Sequence, residues 1–414
     1  MKIEKVQIIP ITGGWYCDDK AVFIAGKAQT DHYLVRGRPQ TPGFKDVREV
    51  GRGLCVILHL ENSQAVFGDG TSVTYAGSAG RDPIFRFEEH VTAFEELVEP
   101  YLIGRDVADF IDLADQVESL RRNGRKLHPA IRYAVSQALL EAAAVAQPCT
   151  KAEILADAYG VKISDLLIRV GIQSGQDRYA AVDKAIYRRV DVFPHGLIKN
   201  VADDFGTEGE RLLDYARWII ARLDEHKIEE DYRPVIHFDC YGTIGRAFNH
   251  DVGRMTDYLR RLAGVVSPLS LQIESPVEMD SRQAQIDTLV SLREALGGPD
   301  SGIVLIADEW CNSLEDVSVF AQAGAVDMIQ IKMPDLGSIT LSAEAILECK
   351  KHGLGAYLGG SCNETDLSAR NAVHLAVALG ADQILARPGM GVDEAVSIVR
   401  NEEARLRAVI SVGT

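Results

Sequence analysis

Eight short apolar runs, each followed by a helical stretch or a long connection, fill the chain from about Leu166 onward, and this alternation narrows the folds open to it. The runs are LLIRVGIQS, RRVDVFPH, PVIHFD, LSLQIE, GIVLIAD, DMIQIK, GAYLGG and QILA. Between them lie stretches with apolar residues at helical spacing, among them GERLLDYARWIIARLDEH, DVGRMTDYLRRLAG and SRQAQIDTLVSLREAL. Short apolar runs alternating with helices are the pattern of a parallel sheet whose crossovers cover both faces. Eight such units in about 250 residues match a closed (β/α)8 barrel. The competing architecture, an open doubly wound sheet, calls for a GxGxxG turn after its first strand, and none follows LLIRVGIQS.

The part before the barrel reads differently. KIEKVQIIPITGG, the run at 53–61 and AVFGDGTSV alternate polar and apolar residues like antiparallel strands. Helical patterns follow at 87–105 and 131–146. We therefore expect an α+β capping domain over residues 1–160 and a TIM-type barrel over 161–414, a two-domain solution suited to 414 residues. Two Gly-rich segments, GGWYCDDK at 13–20 and YAGSAGRDP at 75–83, read as loops. They are candidates to cover a barrel mouth, although ordinary surface turns look the same.

A formal net charge of -16 excludes nucleic acid and anionic lipid as partners, because no basic stripe offsets it. No apolar run reaches the length of a membrane span, and the N-terminal run is too short and too charged for a secretory signal. Seven cysteines form no CxxC pair or zinc spacing, and their odd number opposes a full disulfide framework. The expected setting is cytoplasmic, and the expected partner is a small molecule.

In a (β/α)8 barrel the chemistry sits at the carboxyl ends of the strands. Those ends carry Gln173, His195, Asp239, Glu274, Asp308, Gln330 with Lys332, the segment 359–362, and Arg387 with Pro388. Asp239, Glu274 and Asp308 are 35 and 34 residues apart, one βα unit each, so adjacent strands bring them together. Any one of them alone would be read as a helix cap or the partner of an arginine. Three at the same strand position would repel one another unless a cation lies between them. Hard oxygen ligands without cysteine fit Mg2+ or Mn2+ better than zinc.

Alternation points Gln330 and Lys332 to one side. A lysine beside a divalent cation is disfavoured in its charged form and can serve as a general base; its alternative use is pairing with a ligand carboxylate. His195, at the end of the second strand, is placed to give a hydrogen bond or proton to a substrate, although a lone histidine is more often structural. Metal plus base, without a nucleophile motif or nucleotide loop, suits proton abstraction from a carbon next to a carboxylate.

The motifs HFDCYGTIG, LQIESP, ADEWCN, QIKMPDLG, YLGGSCNET and RPGMGVDE, with LHPAIRYAVSQALLEA and IQSGQDRY before them, resemble the enolase superfamily. Within it, the chain resembles the methylaspartate ammonia-lyase family over essentially its whole length. That resemblance implies Mg2+ on Asp239, Glu274 and Asp308, with Lys332 taking the C3 proton of (2S,3S)-3-methylaspartate. It also implies His195 and Gln330 at the carboxylate next to C3, and Gln173, Ser361 and Cys362 at the other carboxylate. Loss of ammonia from C2 would give mesaconate, and His195 would act on the opposite face for the epimeric substrate. A monovalent cation such as K+ and a homodimer come from the same resemblance. Ser361 stands where the family commonly has threonine, which keeps the hydroxyl and removes a methyl.

Two rival readings differ in testable ways. Other enolase-superfamily enzymes, the acid-sugar dehydratases, racemases and cycloisomerases, commonly carry a KxK pair at the end of the second barrel strand, and none lies near His195. A non-catalytic metal-binding barrel would leave Lys332, Gln330 and the GGSCN segment without a purpose.

Overall fold

A computed structural model describes residues 1–175, 177–226, 229 and 231–413. Its barrel strands are Arg169–Gly171, Val192–His195, Val235–Asp239, Leu271–Glu274, Ile303–Ala307, Met328–Gln330, Gly355–Leu358 and Gln383–Leu385. They pair in parallel in chain order, and the last closes on the first through Ile384 and Val170. All eight expected strands are present. The first is shorter than its apolar run, because Leu166 and Leu167 are exposed and precede the pairing.

The return helices are stopped and started by local chemistry. Their N-caps Asp251, Ser281, Ser313, Ser338 and Thr365 each accept a backbone N–H from within the first turn, which satisfies donors a helix start leaves open. Gly297, Gly324 and Gly380 end three of these helices in left-handed conformation. Lower in the barrel, Gln272 Nε2 donates to Gln383 Oε1 at 3.0 Å, one bond between two buried side chains.

Ahead of the barrel, strands Ile3–Asp18, Arg48–Leu60 and Ala65–Thr71 form an antiparallel sheet with Arg48–Leu60 in the middle. The helix Pro129–Ala146 is buried on nearly every side between this sheet and the barrel. From it, Ser136 accepts the Ile339 N–H and Tyr133 donates to Glu364 at 3.0 Å. The helical run at 87–105 ends at Leu102 and carries a π-helical turn at Phe94–Val98. Pro100 follows that turn and lacks the N–H a regular helix would need there.

One expectation fails. Residues 13–18 are not a loop: they continue the first strand, with a register irregularity between Thr12 and Tyr16. Gly13 and Gly14 are there for closeness, not turning. A Cβ on Gly13 would lie 2.1 Å from the Asn363 amide oxygen, and one on Gly14 would lie 2.4 Å from Pro388. Side-chain-free backbone lets the cap's first strand press onto the barrel mouth.

Candidate active site

Strand register assembles the carboxylates. Asp239 pairs with Glu274, Glu274 pairs with Ile306, and Asp308 follows Ile306 by two residues on the same side. All three are buried, at 2%, 0% and 5% exposure, so the cost of their charge must be met inside the protein. Burial pushes Asp239 well above the usual carboxylate range, and repulsion from Glu309 and Asp308 adds to it. Glu274 is raised in the same way, by burial and then by Asp239 and Asp308.

Asp308 differs from its neighbours in having cations in contact. Lys332 Nζ lies 2.8 and 2.9 Å from its two oxygens, and Arg81 Nη2 donates to it at 3.0 Å. Gln330 donates through Nε2 to Glu274 while its Oε1 is buried without a partner. His195 Nε2 lies 3.5 Å from Asp239 and 3.7 Å from Glu274, as its pairing with Phe238 on the adjacent strand allows. Burial, with His237 and Lys332 nearby, holds His195 far below the usual histidine range, so its imidazole is neutral.

The remaining expected residues line the other side of the same pocket. The Cys362 thiol donates to Gln173 Oε1 at 2.7 Å, and burial pushes that thiol up to about 12, so it stays a donor. Ser361 Oγ accepts the Thr74 N–H at 3.2 Å, and its own backbone N–H donates to Glu364 at 2.7 Å. Every residue given a metal, base or substrate role from the sequence therefore lines one pocket, whereas Arg387, also at a strand end, is buried against Glu364 instead. Gln176, inside IQSGQDRY, lies outside the described residues.

The pocket is tight, about 40 Å³, and shares Met390 with a cavity of about 840 Å³ under the cap strands. Tyr75 and Arg81, from the segment 75–83, line the tight pocket together with Val73 and Thr74 just before. Four strand ends carry non-glycine residues in left-handed conformation: His195, Tyr241, Ser275 and Trp310, at φ 63°, 47°, 48° and 63°. Such backbone costs on the order of 1 kcal/mol each and persists where surroundings impose it.

Four residues escaped the sequence reading. His237 stacks on His195 with centroids 4.5 Å apart and meets Glu274 at 3.0 Å. Two positions before Asp239 on one strand, it could have been found by alternation. Glu309, next to Asp308, contacts Lys20 Nζ at 2.6 Å. Burial raises Glu309, yet Lys20, Arg81 and Lys332 outweigh it and hold that carboxyl below its usual range. Lys20 and Arg81 come from the cap, and no spacing within the barrel could point to them.

The donor set fits a divalent cation. Asp239 and Glu274 form no ion pair with lysine or arginine among the described residues, and hydrogen bonds from Tyr241, Gln330 and His237 leave their charge uncancelled. His195, His237 and Glu274 also present atoms close enough to share an ion. His237 is already engaged with Glu274, however, and three carboxylates favour a hard, oxygen-seeking cation over zinc.

Comparison with known proteins agrees over the full chain. Family models described as methylaspartate ammonia-lyase N-terminus and C-terminus match residues 1–160 and 162–412. Methylaspartate ammonia-lyase 1 of Carboxydothermus hydrogenoformans is 44% identical over 99% of this chain and 97% of its own length. The β-methylaspartase of Clostridium tetanomorphum, solved as a Mg complex, superposes with a TM-score of 0.93 at 42% identity, covering 100% of both chains. The Citrobacter amalonaticus methylaspartate ammonia lyase, solved with (2S,3S)-3-methylaspartic acid, gives 0.96 at 41% identity over 99% of this chain and 100% of the other.

Proposed function

The chain belongs to the methylaspartate ammonia-lyase family, whose members are carbon–nitrogen lyases, and from that premise we propose how its own residues divide the work. Asp239, Glu274 and Asp308 would hold Mg2+, with Mn2+ as a substitute. When bound, the ion draws negative charge off the substrate carboxylate next to C3. Lys332 Nζ takes the C3 proton of (2S,3S)-3-methylaspartate. The C3–H electron pair becomes the C2–C3 double bond, the C2–N pair leaves with ammonia, and mesaconate remains. Run backward, the same steps add ammonia to mesaconate.

The other residues orient the substrate. His195 and Gln330 hold the carboxylate beside C3, and Gln173, Ser361 and Cys362 hold the far carboxylate. On the opposite face, neutral His195 is the proton acceptor for the epimeric substrate. Residues 1–160 act as the cap and residues 161–414 as the catalytic unit. The setting is cytoplasmic, in keeping with seven free cysteines, and the assembly is a homodimer activated by a monovalent cation such as K+.

The observation that carries this reading is Lys332 at 2.8 Å from Asp308, inside a buried cluster whose other two carboxylates form no ion pair with lysine or arginine among the described residues. A base is thus held at the edge of a cation seat. The test is direct: supply 3-methylaspartate with Mg2+ and follow ammonia or the ultraviolet absorbance of the conjugated diacid. Product above a metal-free control is expected, and none would remove the assignment.

A further inference from the structure

Arg81 belongs to the cap, yet its side chain is only 1% exposed and ends among barrel carboxylates. Its Nη2 donates to Asp308 at 3.0 Å and its Nε donates to Asp335 at 3.0 Å. Asp335 sits in the short helical turn Met333–Leu336, which begins directly after Lys332, and its backbone N–H donates to the Lys332 carbonyl at 2.9 Å. Lys332 meets both oxygens of the same Asp308. One guanidinium therefore spans the strand end that carries a carboxylate of the cation seat and the turn that carries the base. A planar fork with donors in fixed directions holds its two partners in a set relative orientation, which the rotatable ammonium of a lysine would not impose.

We propose that Arg81 is a positioning residue: bridging Asp308 and Asp335, it sets Lys332 relative to the cation seat and makes seating of the cap a condition for turnover. The inference rests on Lys332 and Asp308 having the roles assigned above. It also carries an electrostatic consequence. A fixed positive charge at hydrogen-bond distance from a ligand carboxylate opposes any cation bound there. Arg81 therefore lowers metal affinity while it holds the base, and a residue needed only for folding would not combine those signs.

The test compares Arg81→Gln, Arg81→Lys and Asp335→Asn with the wild type. Readouts are Mg2+ affinity by calorimetry, kcat and KM for 3-methylaspartate, and exchange of the C3 hydrogen with D2O by NMR. Arg81→Gln is expected to bind Mg2+ about fivefold tighter, while kcat and C3 exchange fall about 10²-fold and KM stays within about threefold. Arg81→Lys returns metal affinity to the wild-type value without restoring kcat. Asp335→Asn keeps the Asp308 contact, so metal affinity holds while kcat falls about tenfold, and this arm stands even if Arg81→Gln does not fold. Wild-type kcat in Asp335→Asn, or weaker Mg2+ binding in Arg81→Gln, would overturn the proposal. An inactive wild type would instead sink the lyase reading on which it rests.

Discussion

Two sets of buried carboxylates share the barrel mouth and are treated in opposite ways. Glu364, fully buried, has Arg387 Nε at 3.0 Å, the Tyr133 hydroxyl at 3.0 Å and the Ser361 N–H at 2.7 Å. Glu309, 1% exposed, has Lys20 Nζ at 2.6 Å and the Ser275 hydroxyl. Both carry their own cation. Asp239 and Glu274, equally buried, receive hydrogen bonds from Tyr241, Gln330 and His237 and sit beside neutral His195, with no lysine or arginine in ion-pair contact among the described residues. Burial, with repulsion from neighbouring carboxylates, raises both carboxyls well above the usual carboxylate range. Because the fold supplies cations to the first set a few ångströms away, the deficit in the second is specific to those positions. That deficit is what supports the cation seat proposed there. Asp308 lies between the two sets, since its own cations are Lys332, the proposed base, and Arg81.

The largest expected effect comes from that intermediate position. Lys332→Ala should lower kcat on (2S,3S)-3-methylaspartate by about 10³-fold while Mg2+ binding is kept, because the change moves Asp308 toward the uncompensated set. Ammonia release and calorimetry read the two halves separately, and a fully active variant would remove the base assignment. Next comes the compensated set. Glu364→Gln leaves Arg387 buried without its counter-charge and should cost about 3 kcal/mol of stability by denaturant unfolding. A change within about 0.5 kcal/mol would mean that the pair is not what satisfies that region.

Opposite in sign and smaller, Asp239→Asn removes a charge the metal-free protein holds at a cost. It should stabilise the metal-free protein by about 1 to 2 kcal/mol, and a destabilised variant would place Asp239 with the compensated carboxylates. The smallest effect is a pH slope in the cap. His128 accepts the Ala130 N–H through Nδ1 and contacts the Pro83 carbonyl at 2.9 Å, and burial drives it down to about 3. The native state keeps it neutral while the unfolded chain protonates near pH 6.5. Its contribution is thus complete above that pH and falls by about 1.4 kcal/mol per unit as pH drops toward 3. His128→Gln should flatten the fall of Tm between pH 6.5 and 5, and an unchanged slope would assign the effect to other histidines.

Much of this site could be read from the sequence because strands impose a period of two and a barrel aligns their ends. Asp239, Glu274, Asp308 and Lys332 each close an apolar run, and register alone brings them together. His237 obeys the same rule and was legible in principle. Lys20 and Arg81 were not, since their contacts span 289 and 227 residues and depend on how the cap docks. Gly13 and Gly14 misled for a related reason. Glycine signals both turns and close backbone approach, and only the facing Asn363 and Pro388 decide between them.

The contrast between the two sets is tested most directly by titrating Mg2+ calorimetrically into the metal-free wild type, Asp239→Asn and Glu309→Gln. If the uncompensated carboxylates are the cation seat, the wild type and Glu309→Gln bind at the seat while Asp239→Asn loses that binding. Undiminished affinity in Asp239→Asn, or loss confined to Glu309→Gln, would contradict it.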